Sequence, residues 1–208
     1  MKKFTISLIC IILAAGAAMA QKQFTFGPKI GVDYTHFWGK YVENNKGLFN
    51  YQAGLFMEYR FTDKFSIAPE VVFAAQGDKI DAIFLVFDEI TGLPIDTEEG
   101  TITYKTNYIN VPVMLKYYVI PSLSIDLGPQ LGINVYSKEV DKSPSYNETI
   151  DYKNLTKTID FGVALGLTYN ITDDVFVQGR YTLGVTDVFE KDNEYKNGNA
   201  QIAIGYRF

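Results

Sequence analysis

The chain has 208 residues, 47% of them hydrophobic, with 15 Tyr and 15 Phe, and a formal net charge of −5 from 19 basic and 24 acidic residues. That length suits one domain, and an acidic balance with no basic patch excludes nucleic acid as a partner. Aromatic residues at this level suit the girdles that sit between lipid and water.

The first segment reads as a secretory signal peptide over residues 1–20. Lys2 and Lys3 form a basic start, Phe4 to Leu13 is apolar, and Ala18-Met19-Ala20 offers a small-residue cleavage site before Gln21. The apolar run is far below the ~20 residues a membrane helix needs, and no later run approaches that length. The only cysteine, Cys10, lies inside it, so the mature chain 21–208 has no disulfide and no thiolate metal site. Removing Lys2 and Lys3 leaves 17 basic residues against 24 acidic ones, a net charge of −7.

From residue 24 onward the chain alternates with period two, as strands with one apolar face do. Residues 24–38 place Phe24, Phe26, Pro28, Ile30, Val32, Tyr34, His36 and Trp38 on one face. The single histidine, His36, then falls at the rim beside Trp38, as a girdle residue rather than a general base. Residues 47–61 carry Phe49, Tyr51, Ala53, Leu55, Met57, Tyr59 and Phe61 on the apolar face, and 65–77 carry Phe65, Ile67, Pro69, Val71 and Phe73. The same pattern recurs over 105–119, 123–137, 157–171 and 175–188. The tail closes an eighth segment on Ile202, Ile204, Tyr206 and Phe208. Each segment supplies the ~9–11 residues that cross a bilayer at a tilt.

Connections alternate in length. Short turns stand at 62–64, 120–122 and 172–174; long polar ones run over 39–46, 78–104, 138–156 and 189–197. Short inner turns and long outer loops are the rule for membrane barrels. The expected fold is all-β: an eight-stranded antiparallel up-and-down transmembrane β-barrel with short periplasmic turns and longer outer loops. A weak repeat, YRFTDKFSI at 59–67 and YNITDDVFV at 169–177, brackets two of the turns.

Period two does not say which face meets lipid, and a soluble lipocalin-like barrel in the periplasm would turn the apolar face inward. Glycine placement decides. Nine glycines, among them Gly27, Gly54, Gly166 and Gly205, lie on the polar face. In a narrow lumen small residues leave room for large neighbours, whereas glycine gives a solvated strand surface little. The polar face therefore points inward. It carries Lys29, Arg60, Lys116, Arg180 and Arg207 with Asp33, Glu58, Glu70, Asp126 and Asp160, a predicted charge network in the lumen.

The end of the chain resembles the terminal strand that marks outer-membrane barrels for insertion: Tyr206 and Phe208 are the expected signal to the barrel-insertion machinery. Catalysis finds no support, since no Ser/His/Asp set assembles around His36. No cofactor or metal site is predicted; Asp96, Glu98 and Glu99 do not have the spacing of a calcium loop. The 78–104 connection is the best candidate for function. It is long, acidic, and holds the apolar run IFLVF at 83–87, from which Phe84 and Phe87 are candidate contacts. A compatible reading continues the third and fourth strands as a hairpin turning near Thr91 to Pro94, whose edge can pair with a partner strand.

Several stretches resemble the PorT-like family of small outer-membrane β-barrel proteins: GPKIGVDYTHF at 27–37, YINVPVMLKYY at 108–118, GPQLG at 128–132, DFGVALGLTY at 160–169, GRYTLGVTDV at 179–188 and IAIGYRF at the end. The resemblance implies an eight-stranded barrel in the outer membrane of a Gram-negative-type cell. For most members it implies no known ligand or reaction. The resulting expectation is a monomeric, non-enzymatic barrel in outer-membrane lipid that presents its outer loops to another envelope or extracellular component. A small-solute or ion channel is the alternative.

Overall fold

The structure is a computed structural model that describes residues 23–40, 45–88, 90–145, 147–190 and 194–208. The predicted signal peptide, with Cys10, lies outside the described residues. The strands are β1 (Phe24–Trp38), β2 (Leu48–Arg60), β3 (Phe65–Phe87), β4 (Pro94–Ile120), β5 (Leu123–Lys142), β6 (Asn147–Asp151), β7 (Ile159–Asn170), β8 (Val175–Gly184) and β9 (Lys196–Tyr206). All pair antiparallel with their neighbours, β5 pairs with β7, and β9 returns to β1. Eight strands thus close into a ring, which leaves no open edge within the barrel wall. The ninth, β6, pairs only with the upper end of β5.

The apolar faces point outward. Ile30 is 61% exposed, Leu55 64% and Ile202 67%, while Lys29, Phe56 and Ala203 on the alternate positions are buried. This is the inverse of a lipocalin and the arrangement that lipid requires. Aromatic rings gather at both ends of the outer surface. Phe26 meets Phe208, and Phe65 meets Tyr117, at the lower end; Tyr34 meets Phe49 and His36 at the upper. His36 lies in that upper girdle, its ring over Gly198 and its Nε2 3.4 Å from the Tyr181 hydroxyl.

The lower turns share one geometry. The Thr62 hydroxyl accepts from the amides of Lys64 and Phe65, and Thr172 accepts from those of Asp174 and Val175 in the same way. The sequence repeat around these turns therefore has a local cause in the threonine that organises each one. Inside, Gly205 makes room for a ring: a Cβ there would stand 2.3 Å from Phe176, which packs edge-on against Phe56.

At the upper end the hairpin reading of 78–104 holds, and two departures from the sequence reading occur beside it. Most of 78–104 is not loop: β3 and β4 stay paired from Gly77↔Lys105 to Phe87↔Pro94, and Gly92 with φ +65° turns the hairpin. That extends the strand by about 30 Å at ~3.3 Å per residue. β5 likewise runs on to Lys142 and folds back as β6. β8 stops at Gly184 rather than 188, because Val188 and Phe189 leave the sheet to bury themselves across the barrel mouth.

Candidate functional site

The lumen is filled by the inward residues of all eight wall strands. Near its middle, Glu70 of β3 accepts from Lys29 of β1 at 2.5 Å and from Arg180 of β8 at 3.0 and 2.6 Å. Lower down, Glu58 accepts from Lys116 at 3.1 Å, from Tyr118 at 2.5 Å and from Ser66 at 2.7 Å. Arg60 and Arg207 approach Glu58 only to 4.0 and 3.9 Å. Arg60 also lies over the Tyr118 ring at 4.1 Å and Arg207 over the Phe176 ring at 4.6 Å, and Arg207 donates to the Asn170 side-chain oxygen at 2.8 Å.

The other three acids take neutral donors. Asp126 accepts from Ser124 and Thr168, Asp33 from Gln52, and Asp160 from Thr186 and Asn197. Gln52 and Gln201 bond each other across the same layer. The ten charges are thus two carboxylate-centred clusters and three acids held by neutral donors, with Gln178 standing between Lys29 and Asp126 and the Asp33 Oδ2 atom buried without a donor. In the middle of the lumen a cavity of about 10 Å³ lies among Gln52, Asn110, Gln130 and Arg180. A wider recess of about 250 Å³ opens at the lower end beside Arg60 and Arg207.

Above the lumen sits a site that the sequence reading missed. Phe37 and Phe189 are buried at its floor, in edge contact at 5.7 Å. Tyr104, Tyr152 and Tyr195 pack around Phe189 with ring centroids 5.5 to 5.9 Å away. With Ile80 and Leu155 these rings line a half-enclosed cavity of about 190 Å³. One signal was visible beforehand: Phe37 is an aromatic residue on the otherwise small, polar face of β1.

Asp78 braces this floor. Read from sequence as part of the acidic loop, it is fully buried and accepts from the amides of Phe37, Gly47 and Lys79 and from the Asn45 side chain.

A register shift in β5 completes the site. Tyr108 pairs with Asn134 but Asn107 pairs with Tyr136, so one extra residue on β5 moves its inward face from even to odd positions. Ser137, Glu139 and Asp141 therefore turn inward, Glu139 directly opposite Tyr104. Burial, and then the neighbouring Asp141, hold the Glu139 carboxyl above its usual range. Burial raises Asp141 as well. Burial first, and the Glu139 charge second, push the Tyr104 phenol up.

On the β3–β4 extension the two predicted contact residues separate. Phe84 faces inward, its ring against Gly100, whereas Phe87 faces outward with Ile83 and Leu85. Ile83 is 74% exposed and Phe87 55%. Three acids of the extension have local partners. Asp81 pairs with Lys46 at 2.8 Å, Asp88 accepts from the amides of Ile90 and Thr91, and Glu98 accepts from the Ser145 hydroxyl and amide. Glu89 lies outside the described residues. Asp96 and Glu98 share the inner face while Glu99 takes the outer, and no three potential ligands converge on a metal position among the described residues.

No curated protein sequence matches this chain. Among solved structures it is similar to Ail, the attachment invasion locus protein of Yersinia pestis, at 16% identity, covering 89% of this chain and 99% of that one with a TM-score of 0.51. It is also similar to Neisserial surface protein A, NspA, at 10% identity, covering 89% and 97% with a TM-score of 0.51. At those identities the likeness carries the fold alone. The family model of the outer membrane protein beta-barrel domain matches residues 19–190. With the closed eight-stranded ring and its lipid-suited exterior, the chain belongs to the outer membrane protein beta-barrel domain family.

Proposed function

We propose that this protein is a non-enzymatic scaffold that displays its β3–β4 hairpin to another envelope or extracellular component. One observation carries the reading: the hairpin projects beyond the lipid-facing wall with Ile83, Leu85 and Phe87 on one exposed face. An apolar strip of that kind, held away from lipid, favours partner burial. The contact surface is refined accordingly. Phe87 stays in it, and Phe84, on the opposite face, gives way to Ile83 and Leu85.

The filled middle of the lumen favours a scaffold over a small-solute or ion channel. We further infer export by a cleaved signal peptide over residues 1–20, insertion through Tyr206 and Phe208 by the barrel machinery, a monomeric state, and membership of the PorT-like group. Those readings rest on the sequence features given above. Phe208 has a local role as well, its amide donating to the Phe26 carbonyl at 2.8 Å.

The test is site-specific photocrosslinking in intact cells from positions 85 and 87, with position 84 as the inner-face control. A discrete adduct from 85 and 87, absent from 84, is the expected result, with a changed phenotype when residues 80–100 are removed. No adduct from either position, together with an unchanged phenotype on removing 80–100, would sink the proposal.

A further inference from the structure

The two faces of the upper extension differ in charge. Alternation along the paired strands puts Lys79, Lys105, Lys138 and Lys142 on the outward face together with Asp81, Glu99 and Asp151. Glu98, Glu139, Asp141 and Glu148 stand on the inward face, with no Lys or Arg on that face of β3 to β6 above the barrel. The inward face ends at the aromatic cavity. The Glu139 and Asp141 carboxylates are near enough to act on the Tyr104 and Tyr152 hydroxyls. Neither makes an ion pair among the described residues, and the Asp141 Oδ1 atom is buried there without a hydrogen-bond donor.

We propose that the barrel mouth is a binding site for a small organic cation bearing an alkylated ammonium group. Ring faces are negative and attract cations, most strongly where water is excluded. The rings of Tyr104, Tyr152 and Tyr195 line the cavity, and Phe37 and Phe189 close its floor. That floor, with Ile80 and Leu155, has no side-chain hydrogen-bond acceptor, so the N–H groups of a primary ammonium would be left to the tyrosine hydroxyls and the carboxylates above it. A trimethylammonium group needs no such acceptor. The acidic inner face above it draws the cation in and leaves anionic ligands disfavoured. This site is distinct from the outward strip of the hairpin and stands independently of the proposed partner there.

The experiment compares choline with 3,3-dimethylbutan-1-ol, a neutral molecule of nearly the same shape. Ligand-observed NMR saturation-transfer titrations follow the methyl singlet of each against the full barrel in maltoside micelles, a detergent that carries no amine. Choline is expected to bind about tenfold more tightly than the alcohol, the difference a partly desolvated cation–π cage supplies. Glu139→Gln with Asp141→Asn weakens choline several-fold and leaves the alcohol unchanged. Tyr152→Leu, which alters a side chain outside the barrel wall, removes the preference while the folded band in a heat-modification gel persists. Equal affinity for the two molecules would overturn the proposal, as would no saturable choline binding by the folded protein. A preference that survives both variants would overturn it too.

Discussion

Glu70→Gln tests how the lumen is held together. Glu70 accepts three hydrogen bonds from two cations, Lys29 and Arg180, and all three side chains are at most 5% exposed. The amide keeps the volume of the carboxylate. It also leaves two buried positive charges without their anion and turns an NH₂ group toward at least one of them. Breaking a buried ion pair from one side costs about 3–5 kcal/mol. Losing two charge-assisted hydrogen bonds, at roughly 1.5–3 kcal/mol each, gives a similar range. Urea titration of the purified barrel, scored by the folded and unfolded bands in a cold detergent gel, measures the change. Lys29→Met in the same chain removes one of the stranded cations, so the double variant should cost less than the sum of the single ones. A loss below about 1 kcal/mol for Glu70→Gln, or strict additivity with Lys29→Met, would refute the view of Glu70 as the centre of a coupled cluster.

Three further outcomes are expected. Purified protein in a planar bilayer should give no stable conductance, since buried, hydrogen-bonded side chains such as Lys29, Glu70 and Arg180 fill mid-lumen; steady ion-selective openings would restore the channel reading. Gly205→Ala brings a methyl group against the Phe176 ring and should cost about 1–3 kcal/mol, the usual price of overpacking. Pairing it with Phe176→Leu should recover most of that in the same urea assay, and no recovery would dissociate the glycine from the ring. Finally, the Ser145 hydroxyl and amide hold the Glu98 carboxyl below its usual range. A depressed carboxyl stabilises the tie between the two upper hairpins above the ordinary glutamate pKa of about 4.3, and that contribution fades as pH falls through the lowered value. An NMR titration of the Glu98 carboxyl carbon should show the depression, and Ser145→Ala should remove most of it; an identical titration in the variant would contradict the assignment.

Much of the barrel follows from local rules. Alternation is a property of a single strand, so Lys29, Glu58, Glu70 and Arg180 could be placed on the inward face from their positions alone. The glycines chose lipid over water for the other face, and Gly205 against Phe176 shows the steric reason. Thr62 and Thr172 marked their turns because each bonds amides two and three residues on. Which charges meet was beyond that reach. Lys29, Glu70 and Arg180 come from β1, β3 and β8, and their meeting depends on how the closed ring staggers its strands. The mouth was further hidden. One extra residue in β5 exchanges the faces beyond it, turning Glu139 and Asp141 inward without any signature in residue type. Strand faces are written in neighbours two residues apart; the cavity that joins Phe37, Tyr104 and Phe189 exists only because ring closure brings distant parts of the chain to one rim.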